Sequence, residues 1–453
     1  MAGQTSSRLL YSNQELDLAV RLFLLLVTLL ATGCSKWSPV KNAPTYCRDI
    51  APVLNANCVT CHRPGEVAPF SLLTYKDVRK RGKTIAMVTQ RRIMPPWKPV
   101  PGYGDFVGTR RLTDEQISLI QKWVTAGMPE GDRKDLPTPP KFASGWRLGP
   151  PDITVTMPAA FEVPAEGVDI YRNFVIPLEI PEGKYIRALE LRPTNRRVVH
   201  HAVLSRDQTG TARRKDEADT GPGFTEVLIT GHMLPGNLGT WVPGFEPVPL
   251  PEDLSLPWPK NTDLVLQEHF HPIGRPETEQ STIGIYLTDQ PPSKTIVDVV
   301  LEQKSLDIPP GEKAYRSHDS LLLPVDVDVV GLFPHMHRLG KEIKLTARLP
   351  SGEEKILIWI KDWNFNWQMH YQILHPVRLP ALTELMLDAV HDNSAENPNN
   401  SSAPPKRVFR GTQTEDEMSL AGIQLMLINN SDLPRFRPLG RKVFSAVPAE
   451  RDR

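Results

Sequence analysis

The sequence predicts a multidomain chain, a small all-α unit followed by two all-β antiparallel sandwiches, and three observations carry that expectation. All four cysteines (Cys34, Cys47, Cys58, Cys61) fall within the first 61 of 453 residues. Beyond about residue 150, short runs of β-branched and apolar residues alternate with turn clusters, and few stretches carry helical periodicity. Forty-five prolines disfavour long helices and suit short strands joined by rigid turns. At roughly 100–200 residues per domain, the length accommodates two to four domains. Charged residues at 23% and hydrophobic residues at 40% exclude wholesale disorder. A formal net charge of +1 removes any general electrostatic argument for a nucleic-acid partner.

At the N-terminus, Leu22 to Thr32 form an apolar run preceded by Arg21 and followed by Gly33 and Cys34. The run is shorter than the roughly 20 residues a membrane-spanning helix needs. Small residues leading into the cysteine give the layout of a secretory signal. The segment resembles a bacterial lipoprotein signal, which implies export to the periplasm or cell envelope and membrane attachment through lipidated Cys34. Ala31 stands where leucine is usual, and Glu15 and Asp17 depart from the pattern. The alternatives are an uncleaved anchor or a misassigned start. Residues 1–34 are assigned to this signal.

Residues 40–135 form the helical unit. Cys58-Val-Thr-Cys61-His62 is a C-x-x-C-H, the attachment motif of c-type haem. Two thiols one helical turn apart suit the two vinyl groups, and the adjacent histidine supplies an iron ligand. A redox dithiol or half a zinc site would leave the histidine unexplained, and no second cysteine pair completes a zinc site. Arg48–Asn57 reads as a short helix. Leu112–Ala126 reads as an amphipathic one, with Thr113 or Asp114 as N-cap and Gly127 as stop. Between them, Met94-Pro95-Pro96-Trp97 resembles the distal-ligand loop of class I-type cytochromes c, which implies Met94 as sixth ligand; Met87 is the alternative. Cys47 has no evident partner except Cys34.

Residues 136–151, rich in proline, form the linker, expected to be a semi-rigid spacer rather than part of a core. The β region divides at 152–310 and 311–446. Strands are expected at Asp152–Met157, Tyr171–Ile180, Tyr185–Leu191, Val198–Leu204, Leu264–His269, Thr282–Leu287, Val325–Phe333, Lys355–Ile360 and Ile423–Leu427.

Six of the twelve histidines form close pairs in this region: His200-His201, His269-x-His271 and His335-x-His337. Residues two apart on a strand share a face, so His335 and His337 can reach one metal. Adjacent His200 and His201 point to opposite faces and can share a metal only at a strand end or bulge. Imidazole suits copper, zinc, iron and nickel, whereas an added thioether favours copper. His232, His318, His370, His375 and His391 are read as structural.

Val198-Val199-His200-His201-Ala202, Leu266-Gln267-Glu268-His269-Phe270, His335-Met336-His337-Arg338-Leu339-Gly340-Lys341 and Asp416-Glu417-Met418 occur in that order. The series resembles the copper type II monooxygenases, the family of peptidylglycine α-hydroxylating monooxygenase and dopamine β-hydroxylase, over roughly residues 165–430. The resemblance implies two jelly-roll-like sandwiches, each holding one copper ion. His200, His201 and His269 match the electron-transferring site; His335, His337 and Met418 match the oxygen-binding, catalytic site. His271 has no counterpart and replaces a ligand, supplements one, or covers the site.

Departures bear on the substrate. Phe333 stands where the amidating enzyme has an arginine that anchors a peptide carboxylate, and Leu420 and Gly422 stand where polar partners are expected. The resemblance therefore transfers copper chemistry, O2 and C–H hydroxylation, and leaves the substrate open. The haem motif suggests electrons supplied through the chain's own haem, from a protein donor or small reductant. The competing expectation is a non-enzymatic envelope electron-transfer or copper-binding haem protein. A zinc-dependent β-sandwich hydrolase lacks a general base in any recognisable motif.

Overall fold

The computed structural model describes residues 43–447 apart from 143–144, 227–229, 231 and 235–237. The signal segment and Cys34 lie outside the described residues. Among those residues, no helix is long and apolar enough to cross a membrane.

The N-terminal unit is helical. A π-helical turn at Tyr46–Ile50 runs into α1 (Ala51–Asn57), followed by α2 (Tyr75–Gln90) and α3 (Asp114–Thr125). Helix α3 starts in a capping box: the Thr113 hydroxyl accepts from the Gln116 backbone N–H while the Gln116 side chain accepts from the Thr113 N–H. Helix α2, absent from the sequence expectation, is capped by the Thr74 hydroxyl, which accepts from the backbone N–H of Asp77. Ile50, Leu54, Val78, Ile120 and Trp123 bury themselves in one core of this unit. Each such side chain contributes about 1.5–3 kcal/mol. Cys47 lies in the same core, 1% exposed and unpaired.

Six strands frame the first sandwich: β1 (Ile153–Thr156), β2 (Ile170–Pro177), β3 (Tyr185–Arg192), β4 (Val199–Asp207), β5 (Asp263–Phe270) and β6 (Thr282–Thr288). The order β1-β6-β3 makes one antiparallel sheet and β2-β5-β4 the centre of the other, which short strands extend at its edges. A single apolar core fills the space between them. A short helix, α4 (Thr211–Ala218), interrupts the β region.

The second sandwich comprises β7 (Ile296–Glu302), β8 (Tyr315–Leu322), β9 (Val327–Met336), β10 (Gly340–Arg348), β11 (Glu354–Ile360), β12 (Tyr371–Leu379), β13 (Glu384–His391), β14 (Ser419–Leu427) and β15 (Val443–Val447). The sheets are β12-β9-β14-β7-β15 and β8-β13-β10-β11, again antiparallel around one core. The expected division at 310/311 moves, because β7 pairs with β14 and β15 inside the second sandwich.

Two further expectations change. The linker is pinned to the first sandwich: buried Glu190 accepts from the backbone N–H groups of Arg147 and Leu148, and Trp146 packs over Gly284. A carboxylate only 4% exposed needs donors, and the linker backbone supplies them. The helical unit is likewise not self-contained. Its segment after Met94 bonds the second sandwich through Val100 N–H to the Trp359 carbonyl and Val107 N–H to that of Gln372, placing Phe106 in that core.

Candidate metal sites around one cavity

The first site begins with a break in a ladder. Val199 lies opposite Phe270 and His201 opposite His269, so His200 is the extra residue of a β-bulge. The bulge turns both neighbouring imidazoles toward β5. Three Nδ1 atoms converge, His200 to His269 at 3.1 Å, His200 to His201 at 3.2 Å and His201 to His269 at 3.3 Å. Nitrogens about 2.0–2.1 Å from one ion in tetrahedral directions are about 3.3 Å apart. Each nitrogen of a neutral imidazole is either an N–H or a lone pair. In a triangle at least two must be alike, so three mutual hydrogen bonds cannot form. One cation accepting three lone pairs removes the conflict.

The surroundings of His200 and His201 favour neutral rings, the form that binds metal. Burial pushes His200 down to about 4, with repulsion from His269 adding to it. The same two causes take His201 well below its ordinary range. Behind His269, Asp169 Oδ2 is 2.9 Å from Nε2. That contact lies off the N–H axis, since Nε2 has no well-aligned partner, so it acts chiefly through charge. It biases the ring toward Nε2–H and leaves Nδ1 free. His269, then His271, hold the Asp169 carboxyl well below the usual carboxylate range. His271 is not in the triangle; its Nδ1–H donates to Asp169 at 2.8 Å and its side chain is 64% exposed. Tyr171, opposite His269 in the ladder, stacks on that ring at 4.2 Å.

The second set sits at the end of β9. His335 lies opposite Leu420, and His337 follows just beyond the strand, with the two ring centroids 5.1 Å apart. His335 Nδ1 contacts Gln368 Oε1, and His337 Nδ1–H donates to the Asp416 carbonyl at 3.0 Å. Both rings therefore keep Nε2 for a ligand. Burial pushes His335 down to about 3, with His337 adding repulsion. Buried Glu417 ties the set together, accepting backbone N–H groups from His337 at 2.5 Å, Leu339 at 2.8 Å and Met418 at 2.8 Å. Burial nonetheless pushes its carboxyl up to about 8 against those donors.

Both sets line one cavity of about 250 Å³: His200 and His201 on one side, His335, His337 and Met418 on the other. Phe365 stands between them, its ring 6.0 Å from His200 and 5.9 Å from His337. Asp169, Tyr171, Phe365 and Gln368 were not legible as site residues, because no motif spacing links them to the histidines they serve.

In the helical unit, Cys58 and Cys61 are unpaired at the end of α1. His62 Nδ1 lies 3.3 Å from the Phe70 carbonyl, which orients the ring and leaves Nε2 free. These residues offer two free thiols and one ring nitrogen, the donor types that a covalent haem uses. Met94 lines a cavity of about 310 Å³ together with Trp97, Leu112 and Ile117. Met87, the alternative, is 44% exposed.

The motif abuts the first sandwich. A Cβ on Gly244 would lie 2.9 Å from Cys61 Sγ, and the Arg110 guanidinium donates to the Gly244 carbonyl at 2.7 Å. Gly244 closely follows the strand Thr240–Trp241, where Trp241 pairs with Ala202 beside His201. Of the remaining histidines, His318 is exposed beside Asp388, His375 is exposed, and His370 and His391 have buried ring nitrogens outside both sets. The side chain of His232 lies outside the described residues.

No family model matches the chain, and no curated protein matches it. Solved structures similar to it include infectious bursal disease virus Gx strain, at 8% identity over 64% of this chain and 77% of that one, with a TM-score of 0.20. The VP2 subviral particle of that virus aligns at 9% identity over the same shares, also with a TM-score of 0.20. Likeness at this level carries no argument.

Proposed function

We propose that this chain is a two-copper monooxygenase that hydroxylates a C–H bond with O2 and carries its own c-type haem as electron relay. The observation that carries the reading is the cavity lined both by His200 and His201 of the three-nitrogen set and by His335, His337 and Met418. In this reading the sandwiches are the jelly-roll-like pair of the resembled family and the helical unit is a cytochrome c domain. Copper bound at the two sets supplies one-electron chemistry at each and O2 activation at the set containing the thioether. Haem on Cys58, Cys61 and His62, with Met94 as proposed sixth ligand, supplies one-electron transfer from a donor protein or small reductant.

The protein's own residues have separable tasks. His200, His201 and His269 present three lone pairs at a geometry fixed by the β4 bulge. Gln368 and the Asp416 carbonyl orient His335 and His337 through Nδ1. Glu417 holds the backbone of His337 and Met418 in register. Phe365 and Trp241 give the cavity apolar aromatic walls. Hydroxylation of a C–H bond by O2 consumes two electrons and two protons and releases water, so both sets must be refilled each cycle. The closeness of Cys61 to Gly244, just after the short strand that pairs with β4 beside His201, supports entry through the histidine-only set. The lipoprotein-like N-terminus supports export to a bacterial envelope.

The test is metal analysis of protein made in a haem-maturing host, with oxygen uptake on supply of reductant. Two coppers and one haem per chain are expected. Replacing both Cys58 and Cys61 by serine should abolish turnover driven by a protein donor while copper content stays at two. Unchanged turnover with that donor would end the relay reading; one copper, or reductant-driven uptake unaffected by His335→Ala, would end the monooxygenase reading.

A further inference from the structure

The shared cavity also selects what can enter it. Among the described residues, no lysine, arginine, aspartate or glutamate lines it. Its walls are apolar or aromatic, with Val203, Trp241, Val242, Phe333, Phe365 and Leu420 prominent, and amide and hydroxyl groups supply the remaining polarity. Phe333 lies parallel to His335 at 14° with ring centroids 6.2 Å apart, and Leu420 faces His335 across the ladder. Phe333 and Leu420, two side chains that flank His335, are thus hydrocarbon and offer no charge to a ligand. A volume of about 250 Å³ is below the roughly 300–1,000 Å³ typical of pockets for drug-sized ligands.

Resting on the monooxygenase reading for its location, we propose that the cavity takes a small uncharged molecule that is mainly hydrocarbon or aromatic, held by burial and shape. An ammonium entering here loses its hydration and finds no opposite charge, and a carboxylate finds none among the lining side chains, only the bound copper ions, whose charge is already shared with their own ligands. Gln368, Asn366 and Thr414 leave room for one neutral polar group such as an amide or hydroxyl.

The test is calorimetric titration of full-length, copper(I)-loaded protein, kept anaerobic, with three ligands of one ring: phenylacetamide, phenylacetate and phenethylammonium. The amide should bind at least about tenfold tighter than either ion. Phe333→Arg should reverse the order of amide and carboxylate. Leu420→Phe, which narrows the cavity without adding charge, should weaken the amide several-fold at unchanged copper content, and it serves if the arginine variant does not fold. Equal or tighter binding of either ion, or binding of none of the three, overturns the proposal. Because the readout is binding, the two readings fail separately. An amide that binds but is never hydroxylated counts against the monooxygenase reading alone. An ion that binds best and is hydroxylated counts against the ligand class alone.

Discussion

Asp169→Asn is the sharpest test of the three-nitrogen site. Asp169 lies between two imidazoles, 2.9 Å from His269 Nε2 and 2.8 Å from His271 Nδ1. The substitution keeps the volume and removes the charge. His269 is 1% exposed, so its ring is oriented by the protein groups around it. Loss of an outer partner of a ligating histidine typically costs about 10- to 100-fold in metal affinity, or about 1.4–2.7 kcal/mol. We expect that loss at one of two copper equivalents, read by anaerobic competition against a chromophoric copper(I) chelator, with the other equivalent unmoved. His271→Ala is the control, because its ring is 64% exposed and sits outside the triangle; its effect should stay within about threefold. An Asp169→Asn affinity within about twofold of native, or a His271→Ala loss equal to that of His269→Ala, would refute the assignment.

The other expectations concern stability. Glu417→Leu orphans two buried backbone N–H groups, at about 1–3 kcal/mol each, and a part-buried third, so a loss of at least about 2 kcal/mol is expected in urea unfolding, with weakened copper binding at the His335/His337 set. Gly331→Ala would put a Cβ 2.7 Å from the His370 ring, which should cost about 1–3 kcal/mol by the same assay. Burial pushes Asp298 up to about 6 despite donors from Ser445 and Gln424. The folded state therefore holds a proton there that the unfolded state has lost, between about pH 4 and 6. This group's contribution is greatest below that window and falls as pH rises through it, by up to roughly 1.4 kcal/mol per unit. Asp298→Asn should remove that component; identical pH profiles for the two proteins would disprove it.

Much of the local architecture was readable because it depends on neighbours in the chain. Thr113 and Gly127 bracket the third helix, which spans Asp114–Thr125. The strands at Tyr185, Thr282 and Lys355 fall within a residue or two of their apolar alternation. The 16-residue helix at Tyr75 was missed although Thr74 and Asp77 cap it, since its charged residues mask the apolar stripe. The strands Ile296–Glu302 and Gly340–Arg348 were missed too. Whether such segments become strands is decided by the partners they meet, Ser419–Leu427 and Glu384–His391, far away in the chain.

The same division runs through the sites. Sequence by itself determined the ligand types: a C-x-x-C-H, an H-x-H that shares a face because strands repeat every two residues, and an adjacent histidine pair that needs a bulge. Those are consequences of local covalent geometry. The resemblance had already grouped His269 with His200 and His201; tertiary structure decided that the bulge lies at His200, that His271 turns away to Asp169, and that both sets open into one cavity. It also decided that the linker and the segment after Met94 belong to the sandwiches' surfaces and core. Those outcomes depend on burial. Ladder register and the satisfaction of buried carboxylates such as Glu190 and Glu417 are settled only when distant segments leave water together.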